Sequence, residues 1–297
     1  MRVLRKPADH ERPHVTHDLE QLNQWLGRQE SAVDYVTIPS VHRLSCTLDR
    51  DDPMPKTGDP LPTGWHAILF PRVVRHSQIG PDGHPERGDF LPPVPLPRRM
   101  FGGKRITFHA DLRVGDEVTR TSTIKAINVK QGRTGQMVFV TVQTDMTTAR
   151  GLALTEEQDI VYRGEPEKNA PQPAPQPAPG TAVWRKEITP DPVLLFRYSA
   201  LTFNGHRIHY DLPYVTQTEG YPGLVMNGGL TTLLTFELAR AHAGARMVRF
   251  SSRNVRPLFV NRTIALCGEP AADGKSAKLW ALDDQQALAL SATAEFA

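Results

Sequence analysis

The sequence predicts an α+β protein built from a duplicated unit, on three observations. A proline-rich stretch divides the 297-residue chain near its middle. The same order of strand-like segments recurs on either side of that stretch. One long, mostly apolar helix stands ahead of the strands in the second half.

The first element is 17-HDLEQLNQWLGRQESAVDYV-36, whose mixture of charged and apolar positions predicts an amphipathic helix. A shorter apolar piece, 65-WHAILF-70, stands where the central helix of this half belongs and looks like a degraded one. Next, 83–106 carries Pro92, Pro93, Pro95 and Pro97. Proline removes backbone donors and fixes φ, so an extended loop is predicted here, placed to cover a tunnel or to pack on the second half. The run 105-RITFHADLRVGDEVTRTSTIKAI-127 reads as strand, turn and strand, with the turn at Gly115-Asp116. Two further strands follow in 136–149 and 151–163.

Alternating Pro and Ala in 163-RGEPEKNAPQPAPQPAPG-180 cannot build a helix interior or a central strand, and favours extended polyproline II. At about 3 Å per residue, roughly 18 residues of this kind span on the order of 50 Å. The predicted organisation is therefore a first domain over 1–162, a linker over 163–182 and a second domain over 183–297. Beyond the linker, 228-GGLTTLLTFELARAHAG-244 spaces Leu230, Leu233, Leu234, Leu238 and Ala241 on one helical face, and Gly244 supplies a stop. Strands then follow in 246–268, 277–284 and 286–296, with period-2 alternation. The shared strand order is the evidence for duplication. It also leaves the central helix, and with it the chemistry, to the second half.

Composition narrows the function classes. Hydrophobic residues make up 39% and charged residues 23%, which predicts a soluble globular chain. The net charge is only +3, and no run of Lys or Arg exceeds two residues, so no nucleic-acid footprint is predicted. Two distant cysteines, Cys46 and Cys267, exclude a disulfide framework. With no apolar run of membrane-spanning length and no signal-like start, a cytoplasmic location is expected.

Chemistry concentrates in 198-YSALTFNGHRIHYDLPY-214 and 221-YPGLVMNGGLTTLL-234. Gly228-Gly229 brings the backbone to a helix start without side chains in the way. The first amides of that helix have no partner inside it and suit a carbonyl oxygen on which negative charge develops. His209 titrates near neutrality and can move a proton, while Asn204 can orient a water. The same residues also have plainer readings. Asn204 serves equally as a turn or cap residue, and His209 as a structural hydrogen-bonding group. A metal site from His206, His209 and His242 lacks the carboxylate or cysteine that would complete a ligand spacing, so no metal is expected. Ser199 lacks a G-x-S-x-G elbow.

The stretch N-G-H-R-I-H over 204–209 resembles the D-x-N-P-[LIV]-H motif of R-specific enoyl-CoA hydratases in the MaoC-like hot dog group. Likewise 223-GLVMNGGL-230 resembles that group's G-x-I-A-H-G-x-L entry to its central helix. Together with 64-GWHAILF-70 and 83-GHPERGDFLPPVPLPRRMFGGKRI-106, these blocks resemble the double hot dog hydratase and dehydratase subfamily over nearly the whole chain apart from the linker. That subfamily includes mesaconyl-C4-CoA and itaconyl-CoA hydratases and mitochondrial 3-hydroxyacyl-thioester dehydratases.

The resemblance implies two fused hot dog domains, each an antiparallel sheet around a helix, and a hydro-lyase acting on a 2-enoyl-CoA. It places His209 as the acid/base and the amide of Gly228 on the thioester carbonyl. Asn204 replaces the group's catalytic Asp, so it is expected to orient water; Asn227 replaces a histidine. Arg207 is the local candidate for a second substrate carboxylate, and Arg253 and Arg256 for the CoA phosphates. The favoured substrates are C5 dicarboxylyl-CoA esters, mesaconyl-C4-CoA or itaconyl-CoA, giving citramalyl-CoA. Dehydration of longer (R)-3-hydroxyacyl thioesters, thioester hydrolysis and non-catalytic acyl-CoA binding are the alternatives. No cofactor is expected beyond the CoA carried by the substrate. The expected partner is that thioester, with no nucleic acid and no membrane, and a homodimer is left open.

Overall fold

The computed structural model describes residues 21–85, 90–132, 135–164 and 174–297. Its ten strands are β1 (Gln29–Tyr35), β2 (Arg98–Phe108), β3 (Glu117–Gly132), β4 (Gly135–Thr148), β5 (Gly151–Arg163), β6 (Trp184–Ile188), β7 (Met247–Asn254), β8 (Ile264–Pro270), β9 (Ser276–Leu282) and β10 (Leu288–Phe296). They form one sheet in the order β1-β3-β4-β5-β2-β7-β10-β9-β8-β6. The second five repeat the first five in mirror order: β6, β8, β9, β10 and β7 answer β1, β3, β4, β5 and β2. The seam is the antiparallel pair β2 and β7, with Lys104 opposite Ser252 and Thr107 opposite Arg249. This is the double hot dog architecture.

Four α-helices lie among the described residues: α1 (Ile38–Thr47), α2 (Pro192–Leu201), α3 (Leu212–Gln217) and α4 (Gly228–His242). Helix α4 is the central one. Leu230, Leu233, Phe236, Leu238 and Ala239 are buried on it, and it packs on all five strands of the second half. The first-half equivalent is a single 3-10 turn, Trp65–Ile68, as the short apolar stretch predicted. Gly64 enters this turn at φ 93, and a Cβ there would lie 2.7 Å from the Phe236 ring. The close approach lets Trp65 Nε1 donate to Glu237 Oε1 on α4 at 2.8 Å, where Arg50 also donates to Oε2 at 2.9 Å.

Two expectations are corrected. The helix predicted over 17–36 is, from 21 onward, a 3-10 turn at Leu22–Trp25 followed by β1; residues 17–20 lie outside the described set. Gly27 at φ 75 ends the turn, and the alternating burial of 29–35 belongs to a strand paired with β3. The loop predicted over 83–106 ends earlier, because 98–106 is the greater part of β2. Helices α1, α2 and α3 were not predicted. Each begins with a Thr or Asp cap and a proline in its first turn: Thr37 with Pro39, Asp191 with Pro192, Asp211 with Pro213.

Of the predicted linker, 165–173 lies outside the described residues. Residues 174–178 carry no regular structure, and the Gln176 carbonyl accepts from the amide of Leu288 at 2.8 Å.

Candidate active site

The site is assembled on the start of α4. Asn227 caps the helix without a side-chain hydrogen bond to it, so the first amides stay available. Gly228 and Gly229 are exposed between buried Asn227 and Leu230. A Cβ on Gly228 would stand 3.2 Å from Asn254 Nδ2, and one on Gly229 2.7 Å from the Tyr198 hydroxyl. The glycine pair therefore keeps a surface of bare backbone beneath two polar side chains.

His209 reaches this place through the backbone. It closes the 3-10 turn Arg207–His209, and the amide of Val225 donates to the carbonyl of Ile208 at 3.0 Å. The buried His209 ring donates from Nδ1 to the Val225 carbonyl at 2.7 Å. That bond assigns the proton to Nδ1 and leaves Nε2 as a base. Burial lowers the His209 pKa below its ordinary value, assisted by the charge of His84 and opposed by the Val225 carbonyl.

Asn204 follows Phe203, a bulky residue held at φ 52 immediately beside the site. Its amide donates to the Ser199 carbonyl at 2.8 Å, and its Oδ1 accepts from the His206 amide at 3.0 Å. The carboxamide nitrogen takes no part in that turn and remains a donor. Ser199 is buried and its hydroxyl accepts from Asn227 Nδ2 at 3.3 Å.

The first half closes over this loop. A Cβ on Gly83, at φ 87, would lie 2.0 Å from the Gly205 carbonyl oxygen, so the two backbones touch. Arg207 donates from its amide to Asp82 at 2.9 Å and from its guanidinium to Pro81 at 2.9 Å. His84, itself 3.2 Å from Asp82, lies against His206 with ring centroids 3.9 Å apart, and His206 meets His209 edge-on at 5.5 Å. Burial, with the neighbouring His84 and His209, pushes the His206 pKa down to about 3. It is a neutral ring throughout the working range. Asp82, His84 and His206 place one potential ligand atom each within 4.8 Å of one another. The two imidazoles lie ring against ring, their planes tilted by 34°.

Residues 64–260 match the family model "hydroxyacyl-thioester dehydratase type 2". The chain belongs to this family. The hydroxyacyl-thioester dehydratase type 2 match covers the 3-10 turn, β2 to β7, the linker and the whole site described above. The chain is 44% identical over 273 residues to a mesaconyl-C(4)-CoA hydratase of Chloroflexus aurantiacus, spanning 91% of this chain and 96% of that protein. Among solved structures, a MaoC-like dehydratase from Phytophthora capsici superimposes with a TM-score of 0.70 at 14% identity, covering 94% of this chain and 97% of that one. A Mycobacterium tuberculosis protein with a double hot dog fold gives 0.50 at 13% identity, over 91% and 96%.

The remaining candidates of this family member fall out as follows. Arg207 is engaged with Asp211 at 2.8 Å and lies over the Tyr214 ring. Arg256, just beyond β7, pairs with Asp283 at 3.1 Å. Arg253 is exposed on β7 with no charged partner among the described residues. His242 lies at the opposite end of α4, stacked on Trp184, so it is not brought to His206 and His209. The sequence reading missed Tyr198, Asp82 and His84. The last two stand more than a hundred positions before His209, and only chain folding brings them near.

Proposed function

We propose that this chain catalyses the reversible hydration of a C5 dicarboxylyl-CoA, mesaconyl-C4-CoA or itaconyl-CoA, to citramalyl-CoA. The observation that carries the reading is the buried His209, neutral and oriented through Nδ1, beside the free helix start at Gly228. The 44% identity to a mesaconyl-C(4)-CoA hydratase supports the substrate.

With mesaconyl-C4-CoA in the hydration direction, Asn204 orients a water near C3 of the 2-enoyl thioester. As the water oxygen bonds to C3, Nε2 of His209 takes its proton. The double-bond electrons move toward the thioester oxygen, where the Gly228 amide and the helix start stabilise the enolate. His209 then returns the proton to C2 and is neutral again. Dehydration runs the same steps backwards, and the chain is a hydro-lyase. No cofactor enters these steps.

On this reading 183–297 is the catalytic unit and 1–162 the cover, joined by 163–182. Arg253 and Arg256 serve the CoA phosphates and Arg207 the second carboxylate, the last with Asp211 holding its guanidinium in place. A cytoplasmic location belongs to the same proposal. No helix among the described residues is long and apolar enough to cross a membrane. The second reading is dehydration of longer (R)-3-hydroxyacyl thioesters; the family description supports the dehydration, and the acyl length is left to the test.

The test is the loss of enoyl-thioester absorbance with mesaconyl-C4-CoA, itaconyl-CoA and crotonyl-CoA, for wild type and His209→Gln. Turnover of the C5 esters that disappears in the variant is expected. Turnover of crotonyl-CoA alone discards the dicarboxylate, and activity confined to longer acyl chains favours the second reading. Release of free thiol would instead indicate hydrolysis.

A further inference from the structure

Tyr198 sits near the C-terminal end of α2 and is only 4% exposed. Its hydroxyl overhangs the helix start, 2.7 Å from where a Cβ of Gly229 would be. No hydrogen bond or ion pair engages that hydroxyl among the described residues. Burial raises its pKa, so it stays a protonated phenol and a donor.

The ring is buried, but the hydroxyl oxygen is not among the polar atoms shut off from both solvent and partners, so its tip can be reached from outside the core. The neighbours supply no partner for it. Ser199 is paired with Asn227, and Thr231, Thr232 and Thr235 bond back to carbonyls of their own helix. Asn227 Oδ1 is buried and unpaired, but it is an acceptor and repels an oxyanion. Asn254 is only half-buried, so water serves its carboxamide and its lack of a protein partner says little. The Tyr198 hydroxyl is therefore a donor kept unpaired at the place where the thioester oxygen is expected.

We infer that Tyr198 is a second oxyanion donor, its hydroxyl binding the thioester carbonyl oxygen together with the amide of Gly228. The inference rests on the hydration reading. It also accounts for Gly229, which nothing else in the helix requires: any side chain there would displace the hydroxyl.

The experiment compares wild type, Tyr198→Phe and Gly229→Ala by steady-state kinetics with mesaconyl-C4-CoA and by thermal unfolding. Loss of one oxyanion donor lowers kcat by about 10²-fold. Tyr198→Phe is expected to lose about that much in kcat with KM within roughly twofold. Its Tm should be unchanged, because the hydroxyl has no protein partner to lose. Gly229→Ala should show the same kcat loss. An equally active Tyr198→Phe in the presence of an active wild type overturns this inference alone. A kcat loss accompanied by a lower Tm overturns it too, since that is a packing role. An inactive wild type overturns the hydration reading first, and the donor assignment with it.

Discussion

The His209 ring nitrogen Nδ1 lies 2.7 Å from the carbonyl oxygen of Val225, three residues before the helix start at Gly228. One bond thus fixes the tautomer of the base and ties its ring to the segment that leads into the helix start. Rotation of the ring would break it. His209→Asn keeps a polar group but no base, and its kcat should fall by at least 10²-fold, as measured with the enoyl-thioester absorbance.

Hydration requires neutral His209. Because burial lowers its pKa, the acid limb of kcat/KM should have its inflection below 6.5, with activity lost as pH falls through it. Among the groups facing His209, the Val225 carbonyl favours the proton, His84 disfavours it, and His206 is itself neutral. His84→Gln removes the repulsion, so its acid limb should move to higher pH. A limb that stays in place in the pH–rate profile would separate the first half from the proton chemistry.

Gly83 and Gly205 touch through their backbones. Gly83→Ala adds a Cβ at a positive φ and against a carbonyl that cannot retreat, for a loss of about 2 kcal/mol or more. Urea unfolding should register that loss, with reduced kcat at low urea as the 80–85 loop leaves His206.

Glu156 on β5 is largely buried beside Lys104 and His66. Burial opposes its ionisation, but Lys104 at 3.1 Å and His66 outweigh it and bring the pKa down to about 2. A carboxylate depressed from 4.5 to about 2 contributes on the order of 3 kcal/mol, fully present above pH 4.5 and lost as pH falls toward 2. Glu156→Gln should therefore be less stable at pH 7 and show a flatter fall in stability between pH 4.5 and 2, read by denaturant titration at each pH.

Glu237 accepts from Trp65 of the first half and from Arg50 and Arg240. Glu237→Leu strands a buried indole N–H and removes one of the two carboxylates on Arg50, which keeps Asp52, at a cost of about 2 kcal/mol. Differential scanning calorimetry should show the loss, and Trp65→Phe in the same background should recover part of it.

Much of this was legible in the chain. Strand alternation in 105–163 and 246–296 located eight of the ten strands, because period-2 burial is a local property. The apolar face of 228–242 and Gly244 delimited α4, and the spacing of Asn204 and His209 before Gly228-Gly229 singled out the candidate site. The short helices were less visible. Their Thr-x-Pro, Asp-Pro and Asp-x-Pro starts are legible caps, but the few residues after each carry too little periodicity to call. Segment 29–35 was misread because its charged residues mimic a helical face when its pairing with β3 is unknown.

By itself, then, the sequence determined the duplicated α+β order, the apolar central helix and the candidate residues gathered ahead of that helix. All of these follow from periodicity, caps and turns within a few residues. Only the tertiary structure decided that β2 and β7 join the halves into one sheet, that His209 is held by Val225, that Asp82 and His84 stand against His206, and that Tyr198 overhangs Gly229. Those relations depend on burial and on contacts between distant segments, and local pattern carries no record of which distant atoms a side chain will meet.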